Sequence, residues 1–282
     1  MIQYSNLGIM QGRLSPSFQN NIQHFPVNHW REEFQSLADL GMGCLEWVYE
    51  YSTVEQNPIH FPEKLDEIQE TLDKSNLRIN SVIGDYFMEK HLVGVTENEK
   101  ENNLKVLKHL IDQCFSLGVT IIELPFVDSS SLTIDSLFHD LVKNLSPLVK
   151  YANERGIRIS LETDLHPKKF EELLNLFLPM QVYVNYDMGN SASYGFDPIE
   201  EIAILGERII NVHIKDRLKG GMSVPLGTGN TDFSTVFREL DKADYQGDFI
   251  LQAARKDINN NGNQEHYKET VQSYIELILE YL

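Results

Sequence analysis

The sequence predicts an α/β protein, a (β/α)8 TIM barrel formed as a single domain over residues 1–282. Three observations predict it. Eight short, β-rich apolar runs recur along the chain, stretches with helical spacing of apolar residues lie between them, and no composition break or Gly/Ser-rich linker divides them. Alternating strands and helices imply a parallel sheet covered by helices, and units roughly 25–40 residues apart suit closure into a barrel. A doubly wound open sheet is the alternative. Its phosphate fingerprint is missing, because Gly227-Thr228-Gly229 has no third glycine at the right place and reads as a turn.

The runs begin near Leu7, Cys44, Ile79, Thr120, Arg158, Val182, Ile209 and Phe249. Between the third and fourth, Leu104, Leu107, Ile111, Cys114 and Phe115 share one helical face, and Gly118 is the stop signal. After the sixth, Asp197 is placed as N-cap, Pro198 as first helical residue and Glu200 as capping-box partner, ahead of Ile202, Ile204 and Leu205. Gly41, Gly156 and Gly206 repeat the stop signal before strands. Asn259-Asn260-Asn261-Gly262-Asn263 reads as a surface loop, and His266 to Leu282 as a closing amphipathic helix with Val271, Tyr274, Ile275, Ile278 and Leu279 inward.

A hydrophobic fraction of 41% and a charged fraction of 23% are those of a globular protein that can bury a sizeable core. With 42 acidic residues against 24 Lys and Arg, the formal charge of −18 repels a polyphosphate backbone and argues against nucleic acid as a partner. One small anion remains compatible, since an Arg or Lys and a few backbone amides suffice to hold it. Cys44 and Cys114 have no metal-type spacing and read as buried thiols. Met1-Ile2-Gln3-Tyr4-Ser5-Asn6 lacks a basic segment leading into an apolar one, and no window is apolar enough to span a membrane. The expectation is a cytoplasmic protein with no membrane partner.

In a barrel of this kind, chemistry sits at the C-terminal ends of the strands. Glu162, Asp187 and His213 each close a short apolar run, and a fourth run ends in Gln252. A Glu/Asp/His set on successive strands is suited to a divalent cation. Glu46, Asp85, Glu123, Asp164, Lys215, Asp216 and Arg255 are placed on the same face, with Arg13 in the first loop as a guanidinium for a substrate phosphate or carboxylate. For Asp85 and Asp164 the plainer expectation is that they cap the following helix or pair with a neighbouring Arg.

Leu161-Glu162, Tyr186-Asp187-Met188-Gly189-Asn190, Val212-His213-Ile214-Lys215-Asp216 and Val224-Pro225-Leu226-Gly227-Thr228-Gly229 with Asp232-Phe233 together resemble the xylose-isomerase-like sugar phosphate isomerase/epimerase family. The Asp-x-Gly-Asn and Pro-Leu-Gly-x-Gly forms are most similar to the branch of L-xylulose and L-ribulose 5-phosphate 3-epimerases. The resemblance implies a divalent metal (Mn, Co, Mg or Zn) on Glu162, Asp187, His213 and position 252, and a sugar or sugar phosphate as substrate. It also implies a homodimer or homotetramer. Glu162 is then the base that removes a carbon-bound proton to give an enediolate, with Lys215 stabilising an oxyanion or binding phosphate and Glu46, Glu123 or Asp216 as candidates for the second proton. Arg13, Glu123, Asn190, Lys215, Asp216 and Arg255 are read as substrate contacts.

Gln252 departs from the family's glutamate. Its amide oxygen can coordinate a hard cation, but the side chain cannot act as a base, so two-base epimerisation is in doubt while one-base isomerisation or dehydration survives. The alternatives are a catalytically silent sugar-binding barrel and a related sugar or inositol dehydratase. An abasic-site endonuclease ranks low, because Asn190 stands where a further histidine ligand is expected and the charge is −18.

Overall fold

The computed structural model describes residues 6–16, 23–132, 134–254 and 264–281. The eight predicted runs become the strands β1 (Leu7–Met10), β2 (Cys44–Val48), β3 (Arg78–Ile83), β4 (Ile121–Phe126), β5 (Arg158–Thr163), β6 (Val182–Asp187), β7 (Ile209–Ile214) and β10 (Asp248–Leu251), with β8 (Asp216–Arg217) and β9 (Ser223–Val224) forming a small hairpin before the last. The eight are parallel and hydrogen-bonded around a closed barrel in the order β1-β10-β7-β6-β5-β4-β3-β2. The strands are buried almost throughout, as expected of a parallel sheet with helices on its outer face.

The helices are α1 (Trp30–Asp39), α2 (Leu65–Ser75), α3 (Tyr86–Glu89), α4 (Glu97–Ser116), α5 (Ser136–Asn153), α6 (Pro167–Asn175), α7 (Met188–Tyr194), α8 (Pro198–Leu205), α9 (Phe233–Lys242) and α10 (Gln264–Leu279). α4 is the helix expected between the third and fourth runs, opened by a Thr96/Glu99 capping box. Leu107, Ile111 and Cys114 are buried as expected, whereas Phe115 is exposed. It sits at the edge of the apolar stripe, one residue past Cys114. Asp197 caps α8 through the Ile199 amide, but Glu200 turns outward to Lys168 and no capping box forms. Gly41 and Gly156 adopt the left-handed conformation of a helix stop, while Gly206 stays right-handed and leads into a 3-10 turn. Arg255 and the Asn259–Asn263 patch lie outside the described residues.

At Gly8 in β1 the barrel wall is closely packed. A Cβ there would stand 2.5 Å from Cys44 Sγ and 2.8 Å from Ile250 Cδ1, neighbours held by β2 and β10 on either side. Gly8→Ala is therefore expected to cost about 2–3 kcal/mol by overpacking. Urea unfolding of the variant measures this, and a midpoint equal to that of the parent protein would mean that the wall yields.

Candidate metal centre

Strand register decides which side chains reach the mouth of the barrel. Glu162 lies opposite Pro125, while Glu123 lies opposite Ser160, two residues deeper. Asp187 is the last residue of β6 and is paired with His213 of β7. Gln252 follows β10, its amide donating to Ile214 O. The mouth thus collects Glu162, Asp187, His213 and Gln252, all buried.

His213 divides the polar interior into two layers. Its Nδ1 stands 3.5 Å from Glu162 Oε2 and 3.9 Å from Asp187 Oδ2. Those separations are close to the ~3–3.5 Å between neighbouring donors around one divalent ion with bonds of about 2.1 Å. The Asn185 amide nitrogen lies 3.1 Å from Nδ1 and donates to Glu162 Oε2. In the neutral ring, the form that can ligate a metal, this makes Nδ1 the lone-pair nitrogen and leaves the proton on Nε2. Nε2 in turn faces Glu46 Oε1 at 2.8 Å and Glu123 Oε2 at 3.2 Å. A carboxylate behind the histidine that orients it and raises its basicity is a common support for a metal ligand.

Glu46 and Glu123 consequently differ from their expected places. Both sit mid-strand, fully buried, because β2 continues to Val48 and β4 to Phe126. Glu46 accepts from Ser81 Oγ at 2.6 Å and from Asn211 Nδ2 at 3.0 Å, beneath His213 and away from the mouth. Neither is positioned to exchange a proton with, or bind, a substrate above. Asp216 also departs from a substrate role: its carboxylate accepts from the amides of Gly227, Gly229 and Thr231, and so holds the loop that resembles the family motif. Arg13 donates to Gln23 Oε1 at 3.2 Å and stands behind it. Arg255 lies outside the described residues.

The remaining expected residues border a cavity of about 330 Å³ above the centre, among them Glu162, Asn190, Lys215 and Gln252. Lys215 Nζ donates to Asp187 Oδ2 at 3.0 Å, and Asn190 donates to Glu162 Oε1 and accepts from Arg217 Nη1 at 2.7 Å. Sequence reasoning missed Arg217, Gln23 and Asn185. Arg217 follows the His213 motif by two residues beyond Lys215 and was legible as a cation near the site; the other two are neutral amides with no spacing signal. Asp85 borders the cavity as well and makes no side-chain cap to α3; Gln23 Nε2 donates to it at 2.5 Å. Asp164 likewise does not cap the following helix α6, whose N-cap is His166, and accepts from Ser131 Oγ at 2.7 Å.

The donor set fits a divalent cation. Two carboxylates, one imidazole and one amide oxygen offer hard and borderline ligands with a formal charge of −2, matching a dication. Gln252 Oε1 is buried and has no hydrogen-bond partner among the described residues, while its Nε2 donates to Gln23 Oε1 at 3.1 Å, so the amide presents its oxygen as the uncommitted atom. The electrostatics agree. Burial lowers the His213 pKa, but Glu123 and Glu46 outweigh it and raise it well above the ordinary value. Burial raises Glu162, yet hydrogen bonding and charge from the protonated His213 ring of the metal-free chain bring it below the usual carboxylate range, so it is ionised at neutral pH. A field that favours a proton on the imidazole favours a cation in the same place.

Behind Asp187, α7 is supported by Glu201, which accepts from Tyr186 OH at 3.0 Å and from Ser191 Oγ. Burial pushes the Glu201 carboxyl up from 4.5 to about 7. Between those values the folded chain holds a proton that the unfolded chain has released, so this group favours folding below the window and loses that contribution as pH rises through it. Glu201→Gln, which cannot ionise, is expected to gain up to about 3 kcal/mol relative to the parent between pH 5 and pH 8. Urea unfolding of both proteins at the two pH values tests it, and a constant difference would contradict the assignment.

Among the described residues, no helix is long and apolar enough to cross a membrane. An "Inosose dehydratase" from Clostridium tetani is 25% identical over 163 residues, which cover 49% of this chain and 54% of that protein. The chain thus spans about half the length of that curated relative. A "Putative L-ribulose-5-phosphate 3-epimerase" from Escherichia coli is 34% identical over 73 residues, 23% of this chain and 26% of the relative. Among solved structures, D-psicose 3-epimerase from Clostridium cellulolyticum H10 superposes with a TM-score of 0.78 at 14% identity, covering 98% of this chain and 99% of the other. The model of the xylose isomerase-like TIM barrel matches residues 34–277. With that match spanning most of the closed barrel and its Glu/Asp/His mouth, the chain belongs to the xylose isomerase-like TIM barrel family.

Proposed function

We propose that the protein is a divalent-metal-dependent enzyme acting on a sugar-like hydroxyketone, and that its reaction is the loss of water next to the ketone. The observation that carries this reading is Gln252. It leaves Glu162 as the one carboxylate at the centre that can act as a base toward the cavity, because Asp187 is paired with Lys215. Glu162, Asp187, His213 and Gln252 would hold the cation, which when bound would supply polarisation of the ketone and its neighbouring hydroxyl and so a more acidic adjacent C–H. Glu162, ionised and hydrogen-bonded by Asn185 and Asn190, takes that proton. Lys215 and Arg217 place positive charge beside the cavity, where they can hold a substrate oxygen or a phosphate.

The resemblance to the inosose dehydratase supports dehydration over two-base epimerisation and suits a cyclic polyhydroxy ketone. Epimerisation at C3 is the second reading, favoured by the whole-chain overlap with D-psicose 3-epimerase. It needs a second base that the Gln252 amide does not supply. Metal analysis and NMR of an inosose, D-fructose and a ketopentose 5-phosphate in D2O test these readings. Deuterium beside the carbonyl with formation of an α-diketone supports dehydration, and deuterium with inversion supports epimerisation. A protein that binds a sugar without any exchange, or holds less than one equivalent of metal under all conditions, contradicts both.

A further inference from the structure

The dehydration reading leaves one requirement unassigned, because the departing hydroxyl needs an acid and Glu162 is committed as base. The cavity holds few ionisable groups. Lys215 is tied to Asp187, Arg217 to Asn190 and Gly221 O, and Asp128 is exposed to solvent. Asp85, at the end of β3, is different. It is half-buried at the cavity wall, pairs with no cation and has one side-chain hydrogen bond among the described residues, from Gln23 Nε2 to Oδ2 at 2.5 Å. Gln23 is itself held by Gln252 Nε2 at 3.1 Å and by Arg13 Nη2 at 3.2 Å. Gln252 thus anchors a row of amides that steadies Asp85 across the mouth from Lys215 and Arg217.

We propose that Asp85 is a second catalytic residue, the general acid that protonates the leaving hydroxyl; this rests on the dehydration reading above. The step balances without a co-reactant. The C–H bond beside the ketone breaks, its proton going to Glu162 and its electron pair to the carbon skeleton. The C–O bond one carbon further breaks as Asp85 delivers its proton to the leaving oxygen, and water departs. The enol product tautomerises, Glu162 releases its proton to solvent, and solvent restores the one on Asp85. Asp85 is suited to the task by its surroundings. Burial, opposed by the Gln23 hydrogen bond and reinforced by the charges of Glu50, Glu162 and Glu46, raises its carboxyl to about 7, so a proton is available near neutrality.

The test uses Mn2+-loaded full-length protein with an inosose in D2O, following deuterium beside the ketone and diketone formation separately. Asp85→Asn is expected to lower elimination by about 10²–10⁴-fold, the usual worth of a general acid, while exchange stays within a few fold. Asp85→Glu should restore part of the elimination. In the parent protein, elimination should decline as pH rises through the titration of the Asp85 carboxyl, and Asp85→Asn should remove that limb. Elimination at the parental rate in Asp85→Asn overturns the proposal and leaves the dehydration reading standing. An equal loss of exchange and elimination in both variants also overturns it, since a structural role would do that. Absence of both signals in the parent protein overturns the dehydration reading and the proposal with it.

Discussion

Glu162→Gln should reduce the rate of solvent deuterium incorporation beside the substrate ketone by about 10³–10⁴-fold, with substrate affinity little changed. The substitution keeps an oxygen that can face a cation and keeps the volume of the side chain, so it isolates basicity from shape. Two hydrogen bonds from Asn185 and Asn190 now hold the carboxylate in place, and an amide would retain one acceptor for them. Single-turnover NMR or mass spectrometry reads the exchange directly and is independent of whether dehydration, isomerisation or epimerisation follows. Exchange within tenfold of the parent would remove Glu162 as the base and return the assignment to another cavity group.

The second large effect is on metal affinity. Gln252→Glu should tighten Mn2+ binding by about 10–100-fold, roughly 1.4–2.8 kcal/mol, because a third carboxylate joins Glu162 and Asp187 beside a dication in a buried site. The gain is limited by burying another charge, which costs desolvation before the cation repays it. The variant also acquires a second base at the position where the family resemblance places one, so inversion at the carbon beside the ketone should rise relative to water loss. Titration with Mn2+ against a competing chelator at fixed pH measures the affinity. An unchanged value would put position 252 outside the coordination shell despite its uncommitted Oε1.

Much of the fold was legible because parallel barrel strands are short, apolar and regularly spaced, and the helices between them carry the period of an amphipathic face. The same legibility extended to Glu162, Asp187, His213 and Gln252, since each interrupts or ends an apolar run. It failed for Glu46 and Glu123. Both interrupt apolar runs in the same way, yet the strands continue two and three residues beyond them, and the register of β2 and β4 sinks them below His213. A linear pattern shows that a polar residue is inside a strand, but its depth depends on how the neighbouring strands are staggered.

Asp216 and Asp85 exchange roles for a related reason. The sequence places both on the functional face, with Asp216 as a substrate contact and a helix cap or an Arg pair as the plainer expectation for Asp85. In the folded chain Asp216 is consumed by three backbone amides of the loop at Gly227 to Thr231, and Asp85 is freed for the cavity because α3 begins without a side-chain cap. Gln23 gave no signal at all. It is a neutral residue in a loop, and its importance arises from contacts with Gln252 and Asp85, 229 and 62 positions away.

The sequence by itself determined the barrel and which polar residues stand at its strand ends, because these follow from local periodicity and residue type. Only the tertiary structure decided which nitrogen of His213 faces the cavity side, which carboxylates lie beneath it and which line the cavity. Those assignments depend on strand stagger and on pairings between distant residues, and a one-residue change of register would invert them.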